Sequence, residues 1–333
     1  MKACVLTAKN NIEYKEVETP KIKSGEVLVK VRACGICSSD FNRVYKNSAY
    51  FFPIILGHEF SGEIVECAPD VDKSYLEKRA VVFPLLPCRE CEFCAEKHYA
   101  QCKKYSYFGS RQNGAMAEYI AVPIWNIKIM PDDMSFRVGA LCEPTAVAVH
   151  AVNKINGIEG KELCIIGSGT IGILAGIIAK TKGADVTFSL RNDKKIELLK
   201  TLGFEKFLIN ESKSFDVVLE CVGSNSSINN SIELVKSRGL IVFVGNPEGD
   251  ITLPQKIYWK LLRSEITVQG IWNSSYKSDD GDDWDEAIKF LYKNQNLADK
   301  LLTDKFKFSD GIKAFEKMKC GNHISLKGVF ENE

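Results

Sequence analysis

The stretch KELCIIGSGTIGILAGIIAKTKGADVTFSL, residues 161–190, decides the fold of the chain. An apolar run is followed by a glycine-rich turn, a stretch of helical length with few charges, and a second apolar run. Gly167, Gly169 and Gly172 form the pattern G-x-G-x-x-G between a strand and a helix. In that context the backbone N–H groups and the helix N-terminus can bind a pyrophosphate. The stretch therefore predicts a unit that binds a dinucleotide.

The residues that follow repeat the alternation of strands and helices. FDVVLECVG, GLIVFVG and EITVQGI read as strands, and KKIELLKTLG and NNSIELVKSRG read as helices between them. Strands that alternate with helices form a parallel sheet with helices on both faces. The predicted fold class is therefore α/β, with a doubly wound, Rossmann-type parallel sheet.

The end of the second strand indicates which cofactor is bound. Chains that bind NAD usually carry an acid there for the ribose 2′-hydroxyl, whereas this chain has Leu190 and Arg191. Asp193 follows too late and is better explained as an N-cap or first-turn acid of the next helix. Arg191, with Ser189 and Asn192, could bind a 2′-phosphate, which favours NADP(H) over NAD(H), although an arginine after a strand is also a common surface residue. The expected cofactor-binding residues are Gly167, Ser168, Gly169, Thr170, Ile171, Gly172, Ser189, Arg191 and Asn192.

A second informative stretch is CRECEFCAEKHYAQC, residues 88–102, with cysteines spaced C-x2-C-x2-C-x7-C. Thiolates at such spacing converge on one tetrahedral zinc, and four sulfurs leave no position for water or substrate. The alternatives are a chance run of buried or disulfide-bonded cysteines, or a zinc finger. A zinc finger would need a recognition helix rich in Lys and Arg, and the charge of this chain is balanced. The expected ligands of a structural zinc are Cys88, Cys91, Cys94 and Cys102.

Three other segments predict a second metal site. They are CGICSSD at residues 34–40, GHEFSG at 57–62 and CEPTAVAVHA at 142–151. Each alone is weak, because a single histidine beside an acid is usually a packed residue. Together they supply a thiolate, an imidazole and a carboxylate, and three protein ligands plus water are typical of a catalytic zinc that polarises an alcohol or carbonyl oxygen. The candidate ligands are Cys37, His58, and either Glu59 or Glu143.

Two polar residues beside Cys37 have a predicted role in catalysis. Asp40 could orient the ring of His58, and Ser39 could pass the proton of the substrate outward. The alternative is turn chemistry, because Ser-Ser-Asp also caps helices well.

Composition excludes several classes of function. Lys and Arg number 44 and Asp and Glu 43, so no basic field favours nucleic acid, and small molecules are the expected partners. The start MKACVLTAKN has no apolar signal region, and the longest apolar segment is interrupted by glycines and shorter than a membrane span. We therefore expect a cytoplasmic protein without a membrane segment, in which the twelve cysteines are mostly thiols.

With these motifs in this order, the chain resembles the zinc-dependent medium-chain dehydrogenase family over essentially its whole length, and within it the polyol dehydrogenases. The resemblance implies a GroES-like, barrel-type catalytic domain at residues 1–149 and 275–333, and a dinucleotide-binding domain at residues 150–274. The runs EVLVKVRA, GEIVECA, RAVVFP and AEYIAV agree with short strands of such a barrel. The stretches that carry the resemblance are SSDFNRVYKNSAYFFPIILGHEFSG, PLLPCRECEFC, YFGSRQNGAMAEYIAVP, CEPTAVAVHA and SEITVQGIWNSSY.

The resemblance also implies a reaction and its residues. A catalytic zinc would be held by Cys37, His58 and Glu143, with Glu59 in or near the coordination sphere, and a structural zinc by the four cysteines. The implied reaction is reversible hydride transfer between a nicotinamide cofactor and a polyol or polyol phosphate, in a homodimer or homotetramer. A substrate phosphate would need a cation, for which Arg43, Lys46 and Arg111 are candidates, with Arg111 favoured.

Three alternatives stay open at this point. The substrate could be an unphosphorylated polyol or secondary alcohol. The protein could also bind metal and nucleotide without catalysis, because fold does not fix function. Arg43, Lys46 and Arg111 could be solvated surface charges, and His323 is expected to be a surface or packing residue and not a ligand.

Overall fold

The structure is a computed structural model that describes residues 1–46, 48–209, 211, 213–277, 281–320 and 325–332. His323 therefore lies outside the described residues. The chain folds as two compact units, of which one comprises Met1–Ala146 and Ser275–Glu333 and the other Val147–Ser274. No helix in the described ranges is long and apolar enough to cross a lipid bilayer.

The strands, in chain order, are β1 Lys2–Ala8, β2 Asn11–Glu16, β3 Glu26–Ile36, β4 Ile54–Ile55, β5 Glu59–Cys67, β6 Arg79–Val82, β7 Leu85–Leu86, β8 Ser106–Tyr107, β9 Tyr119–Pro123, β10 Ile127–Ile129, β11 Glu162–Ile166, β12 Asp185–Ser189, β13 Phe207–Leu208, β14 Phe215–Glu220, β15 Val235–Phe243, β16 Thr267–Gly270, β17 Asp304–Lys307 and β18 Gly328–Glu331. The α-helices are α1 Ser38–Tyr45, α2 Glu92–Ala95, α3 Phe136–Gly139, α4 Cys142–Asn153, α5 Thr170–Thr181, α6 Ile196–Thr201, α7 Asn225–Leu234, α8 Gln255–Arg263, α9 Asp283–Lys293, α10 Gln295–Leu301 and α11 Ile312–Lys319.

The first unit is built around the long strand β3. Its main sheet has the order β10-β6-β5-β3-β18-β17, and β9 also pairs with β3. Val27, Val29 and Val31 alternate along β3 and are fully buried, as expected for β-branched residues on the inner face of a sheet. Across β3, Gly35 pairs with Glu59 of β5 on one side and with Val329 of β18 on the other. The sheet therefore brings residues from both ends of the chain to one place.

An aromatic cluster packs the C-terminal segment against the earlier part of the first unit. The rings of Phe83 and Tyr276 stack at 4.3 Å, and Trp284 meets Phe83 edge-on at 5.7 Å. Tyr276 Oη donates to the Trp125 carbonyl at 2.6 Å, and the Arg89 guanidinium lies 4.5 Å from the Trp125 ring. Such aromatic pairs contribute roughly 0.5–1.5 kcal/mol each beyond the burial of their surface. Through Arg89, the cluster reaches the loop that carries the four cysteines.

The second unit confirms the predicted doubly wound sheet. Its strands have the order β13-β12-β11-β14-β15-β16, and every neighbouring pair is parallel. After β11 the chain builds β12 and β13 on one side and then crosses to β14 on the other. The carboxyl end of β11 is thus the point where the strand order reverses, and it is there that ligands bind in this fold. The glycine-rich turn follows β11 directly.

Two local predictions in this unit were wrong. Helix α7 ends at Leu234, so the C-terminal part of NNSIELVKSRG belongs to β15, where the φ of +61° at Arg238 excludes a helix. Helix α6 begins at Ile196 with Lys195 as its N-cap, so Asp193 is neither the N-cap nor a first-turn residue. Asp193 instead accepts the backbone N–H of Ile196 through its carbonyl in the turn before the helix.

Candidate metal centres and nucleotide-binding loop

Cys37 lies at the junction between β3 and α1. It is the N-cap of α1, and its backbone N–H donates to Asp40 Oδ2 at 3.1 Å. Asp40 thus closes the first helical turn, as the turn-chemistry alternative expects. The cap fixes where the thiol of Cys37 leaves the main chain.

A glycine turn places His58 and Glu59 at the start of β5. Gly57 has a φ of +96°, and a Cβ at this position would lie 2.6 Å from Cys34 Sγ and 3.0 Å from the backbone nitrogen of Met116. A side chain does not fit there, and the left-handed backbone also favours glycine. The backbone conformation and the close packing of this turn therefore require the glycine, whatever His58 and Glu59 contribute to chemistry.

The structure brings three of the four predicted donors together. One ligand atom from each of Cys37, His58 and Glu59 lies within 4.8 Å of the others. His58 and Glu59 are buried, and Cys37 is half-buried. We refer to these three residues as the mixed-donor group.

Glu143 lies outside the mixed-donor group but is connected to it through Tyr107. Tyr107 Oη donates to Glu143 Oε1 at 3.0 Å, and the Tyr107 ring meets the His58 ring edge-on at 5.6 Å. Sequence reasoning missed Tyr107, and its only signal was its place at the start of the stretch YFGSRQNGAMAEYIAVP. Whether Glu59 or Glu143 completes the ligand set stays a prediction.

The electrostatics of the mixed-donor group fit a divalent cation. Burial, reinforced by the charge of Glu59, raises the pKa of the Cys37 thiol to about 12. Burial likewise raises the pKa of Glu143 to about 7. Nδ1 of His58 is buried and has no hydrogen-bond partner among the described residues. The buried ammonium of Lys327 forms an ion pair with Glu59. A thiolate at Cys37 in so buried a place is still costly unless a further cation compensates it, and zinc prefers thiolate, imidazole and carboxylate donors.

Asp40, Ser39 and Arg43 are connected by hydrogen bonds within α1. Asp40 Oδ1 lies 3.8 Å from His58 Nδ1, which is longer than a hydrogen bond. Arg43 Nη1 donates to Ser39 Oγ at 2.8 Å and to Asp40 Oδ1 at 3.2 Å. The orientation of His58 by Asp40 stays a prediction, and Arg43 is held inside its own helix.

The four-cysteine loop, residues 88–102, gathers all four sulfurs. They lie within 4.8 Å of one another, with Sγ of Cys94 at 3.6 Å from that of Cys91 and 4.0 Å from that of Cys88. A tetrahedral zinc with bonds of about 2.3 Å places its sulfurs about 3.8 Å apart. The spacing of the thiols therefore fits one tetrahedral zinc.

The backbone of the loop favours thiolates. Hydrogen bonds from the backbone N–H groups of Lys103 and Cys94 lower the pKa of Cys91 to about 6. The backbone N–H of Cys88 donates to Cys102 Sγ at 3.2 Å. Burial raises the pKa of Cys94 to about 12, so this thiol needs a cation to lose its proton. No substrate group has a place in this ligand set.

The glycine-rich turn has the geometry of a phosphate-binding loop. Gly167 has a φ of +108°, and a Cβ at Gly172 would lie 2.0 Å from the Gly167 carbonyl oxygen. Gly169 is the N-cap of α5, and no atom lies within 4 Å of the position its Cβ would take. Because residue 169 has no side chain, none obstructs an anion there at the N-terminus of α5.

The residues after β12 place Lys195 against this turn and Arg191 close to Lys195. Leu190, where chains that bind NAD usually carry an acid, has a buried apolar side chain. Its backbone N–H donates to the Leu208 carbonyl. Lys195 Nζ donates to the Ser168 carbonyl at 2.9 Å, and burial and the positive charge of the nearby Arg191 lower its pKa. Sequence reasoning missed Lys195, whose only signal was its position four residues after Arg191.

Arg111 lies on the surface of the first unit between two tyrosines. Its guanidinium carbon is 4.2 Å from the Tyr105 ring and 5.0 Å from the Tyr50 ring. Nη2 also donates to Tyr50 Oη at 3.3 Å and to Tyr105 Oη at 3.4 Å. Together with a hydrogen bond from Nη1 to the Tyr105 carbonyl at 3.3 Å, these contacts hold the guanidinium while the residue stays exposed.

Known protein families match segments in both units of the chain. Residues 23–132 match the alcohol dehydrogenase GroES-like domain, and residues 170–293 match the zinc-binding dehydrogenase domain. Galactitol 1-phosphate 5-dehydrogenase of Escherichia coli K12 is 33% identical over 94% of this chain and 95% of its own. Sorbitol dehydrogenase of Halalkalibacterium halodurans is 29% identical over 98% of each chain.

A solved structure extends this agreement to three dimensions. The crystal structure of galactitol-1-phosphate dehydrogenase from Escherichia coli aligns with a TM-score of 0.92 and 32% identity, over the whole of both chains. The predicted combination of a GroES-like catalytic domain with a Rossmann-type sheet is confirmed.

Proposed function

The chain belongs to the zinc-dependent alcohol dehydrogenase family, and from this premise we propose that it transfers hydride between NADP(H) and a polyol phosphate. As a member it is an oxidoreductase that acts on alcohols. The observation that carries the proposal is the convergence of Cys37, His58 and Glu59 in a chain that also carries the glycine-rich turn. The polyol phosphate is proposed because galactitol 1-phosphate is the substrate in the name of a relative that matches nearly the whole chain.

We propose two zinc ions per chain. Cys37 and His58 would hold the catalytic ion, with Glu59 or Glu143 as the third ligand, and the four-cysteine loop would hold the structural ion. When bound, the catalytic zinc polarises the substrate hydroxyl and lowers its pKa, and the nicotinamide takes the hydride. All other steps fall to side chains of this protein.

Ser39 would carry the proton. Arg43 donates to Ser39 Oγ, so one lone pair of this oxygen is occupied and the O–H remains free to donate. The second lone pair can accept the proton of the substrate hydroxyl while the serine proton passes outward. Ser39 is half-buried, which leaves it a route to solvent.

The cofactor would lie on the second unit. The pyrophosphate would meet Gly167, Ser168, Gly169, Thr170, Ile171 and Gly172 at the N-terminus of α5. Arg191 and Lys195, with Ser189 and Asn192, would bind the 2′-phosphate, because two cations stand where chains that bind NAD carry an acid. This arrangement supports a preference for NADP(H) over NAD(H).

The substrate phosphate would bind Arg111. A guanidinium held between Tyr50 and Tyr105 has its donors oriented in advance, and planar donors suit a phosphate. Arg43, another candidate, is 15% exposed and its charge is paired with the buried Asp40, whereas Arg111 is exposed and its recorded hydrogen bonds are to neutral groups. Arg111 is therefore the better anchor.

The protein would act as a closed homo-oligomer in a reducing compartment such as the cytoplasm. Strand β16 is an edge of the six-stranded sheet, and Val268 on it is 43% exposed. Trp259, Leu262 and Trp272 are also between 45% and 56% exposed. An open edge flanked by large apolar side chains favours pairing with a second copy.

All twelve cysteines are free thiols, as zinc ligands require.

A panel of initial rates tests the proposal. The zinc-replete protein is assayed with galactitol 1-phosphate, galactitol, sorbitol and simple secondary alcohols, each with NADP and with NAD. We expect turnover with the phosphorylated polyol and a preference for NADP. Equal or faster turnover of free polyols would overturn the phosphate requirement. No turnover of any alcohol by zinc-replete protein would support a protein that binds metal and nucleotide without catalysis.

The variant Arg111→Ala tests the anchor within that panel. We expect KM for the phosphorylated polyol to rise about tenfold, as for the loss of a charge-assisted hydrogen bond, without a change for the free polyol. Lys15→Ala, which removes an exposed charge elsewhere on the first unit, is the matched control. An unchanged KM for the phosphorylated substrate would remove Arg111 from the substrate site.

A further inference from the structure

Tyr50, Tyr105 and Arg111 form a separate polar group on the first unit, which we call the tyrosine–arginine group. The guanidinium makes three hydrogen bonds, from Nη1 to the Tyr105 carbonyl at 3.3 Å and from Nη2 to Tyr50 Oη at 3.3 Å and Tyr105 Oη at 3.4 Å. All three acceptors are neutral, and no carboxylate in the described part of the chain forms an ion pair with Arg111. The group therefore carries a positive charge without a neighbouring anion among those residues.

The two tyrosine hydroxyls are held where both can donate to one anion. A phenol oxygen that accepts a hydrogen bond still has its own O–H to donate. Both oxygens lie within 3.4 Å of the same guanidinium nitrogen, so both O–H groups begin at one end of the guanidinium. Tyr50 is 64% exposed and Arg111 is exposed as well, which leaves this end open to an anion from solvent.

The number of donors indicates the chemical class of the anion. A guanidinium alone satisfies a carboxylate, because its fork of N–H groups matches two oxygens. A phosphate monoester has three terminal oxygens, so acceptors remain for further donors when the guanidinium binds. A guanidinium flanked by two hydroxyl donors therefore suits a phosphate monoester better than a carboxylate.

The backbone connects the tyrosine–arginine group to the mixed-donor group. The N–H of Arg111 donates to the Tyr107 carbonyl at 3.0 Å, which closes a turn. Within that turn, Gly109 has a φ of +71° and packs so closely on Gly57 that a Cβ on it would lie 2.7 Å from the Gly57 carbonyl oxygen. His58 follows Gly57 directly. The turn that carries Arg111 thus rests on the turn that carries His58, which fixes one group relative to the other.

Further hydrogen bonds bring the segment of Tyr50 to the same turn. The N–H of Ile55 donates to Asn113 Oδ1 at 3.0 Å, and the N–H of Gly114 donates to the Ile55 carbonyl at 2.7 Å. Tyr50 lies five residues before Ile55, and Arg111 lies two residues before Asn113. The fold therefore builds the tyrosine–arginine group from two segments that are 61 residues apart.

We propose that Tyr50 and Tyr105 are specificity-determining residues whose hydroxyls donate to the phosphate of the substrate, while Arg111 supplies the charge. The inference rests on the proposed function, because it concerns the substrate of the proposed dehydrogenase. The group selects a polyol phosphate over a free polyol, and also over a sugar acid, whose carboxylate offers only two oxygens. Since the hydroxyls contact the phosphate and not the reacting carbon, their loss acts on KM and not on kcat.

Tyr50→Phe and Tyr105→Phe remove the hydroxyls and keep both rings against the guanidinium. For each variant we expect KM for galactitol 1-phosphate to rise about tenfold, as for the loss of a hydrogen bond to a charged group, with kcat within about twofold of the wild type. The ratio of kcat/KM for galactitol 1-phosphate to that for galactitol should fall by the same factor. Tyr14→Phe, which removes an exposed hydroxyl from β2, is the matched control and should leave this ratio unchanged.

Inorganic phosphate gives a second measurement on the same group. At saturating cofactor it should compete with galactitol 1-phosphate, and its inhibition constant should rise in Tyr50→Phe and Tyr105→Phe but not in Tyr14→Phe. An unchanged KM for galactitol 1-phosphate in both variants, or an equal inhibition constant in all four proteins, would overturn the role of the hydroxyls. A lower KM for galactonate, a sugar acid of equal length, than for galactitol 1-phosphate would overturn the selection of phosphate.

The outcomes separate this inference from the proposed function. If the wild type turns over free polyols as well as phosphorylated ones, the phosphate requirement and this inference fail together. If Arg111→Ala raises KM for galactitol 1-phosphate and the two tyrosine variants do not, the inference alone fails.

Discussion

The two groups of candidate metal ligands differ in how they are assembled. The four-cysteine loop takes every ligand from fifteen consecutive residues, and backbone N–H groups within and just after the segment stabilise its thiolates. The mixed-donor group takes its ligands from the end of β3 and the start of β5, and its neighbours Tyr107, Glu143 and Lys327 come from distant parts of the first unit.

The difference teaches what each group can do. Four thiolates would complete a tetrahedral zinc and leave no position for a substrate, so we propose a structural role for the loop. The mixed-donor group offers three donors of different kinds, and a metal held by three protein ligands keeps a position for water or substrate. We therefore propose that the reactive site is the group whose side chains come from several elements.

The largest effect that separates the two groups should come from Cys37→Ser. Loss of the catalytic zinc removes several kcal/mol of stabilisation of the transition state, so turnover should fall on the order of a thousandfold. Rates of alcohol oxidation measure this, with Cys320→Ser, which removes an exposed thiol, as the matched control. Turnover within a few-fold of the wild type would show that the mixed-donor group is not the reactive centre.

Cys94→Ser should act on stability. A structural zinc contributes directly to folding, so its loss should lower Tm by about 5 °C or more. At a temperature where the variant stays folded, turnover should remain within a few-fold of the wild type. Thermal unfolding and rates measured on the same sample check both statements. Complete loss of turnover by folded protein would erase the distinction between the two groups.

A smaller effect should come from Lys195→Ala, which tests whether the nucleotide site is also assembled from separate segments. Loss of a charge-assisted contact to the 2′-phosphate should raise KM for NADP about tenfold and leave KM for NAD nearly unchanged. Lys200→Ala removes an exposed charge from the other end of α6 and serves as the control. Equal increases for both cofactors would assign Lys195 to the glycine-rich turn through Ser168 and not to the 2′-phosphate.

The smallest effect concerns Glu162, a carboxylate whose pKa is lowered, whereas the pKa of Glu143 is raised. Hydrogen bonds and ion pairs with Lys236 and Lys213 lower the pKa of Glu162 from 4.5 to about 2. Because the folded-state pKa is depressed, the stabilisation is fully present above about pH 4.5 and is lost as the pH falls toward 2. Lys236→Met should therefore cost less than about 1 kcal/mol at pH 6 and still less at pH 3, since both side chains are more than a third exposed and solvent screens the pair.

Unfolding of the wild type and Lys236→Met between pH 6 and pH 3 measures this difference. A gap that widens as the pH falls would reverse the predicted sign. Lys206→Met, which breaks the exposed pair with Asp185, is the control for loss of a surface charge.

The sequence predicts features that are complete within a short segment. One such feature is the spacing of the four cysteines. Others are the strand–glycine–helix pattern and the alternation of strands and helices after Gly167, and the structure has the parallel sheet that this alternation predicts. The boundary of α7 was misjudged because pairing of Val235 with β14 overrides the helical pattern of NNSIELVKSRG.

What the sequence did not reveal depends on side chains from distant segments. Lys327 reads as one lysine among many, and its ion pair with Glu59 depends on the pairing of β3 with both β5 and β18. Tyr107 and Lys195 act through contacts to Glu143 and to the Ser168 carbonyl, which no local pattern encodes. The missed residues are therefore those that adjust a site, while the residues that define it follow from spacing.

Zinc content per chain, measured on the wild type, Cys37→Ser and Cys94→Ser, tests the central claim most directly. The account predicts about two zinc ions in the wild type and about one in each variant, with turnover lost only in Cys37→Ser. Full zinc content in Cys37→Ser, or lost turnover in a folded Cys94→Ser that keeps its other zinc, would contradict it.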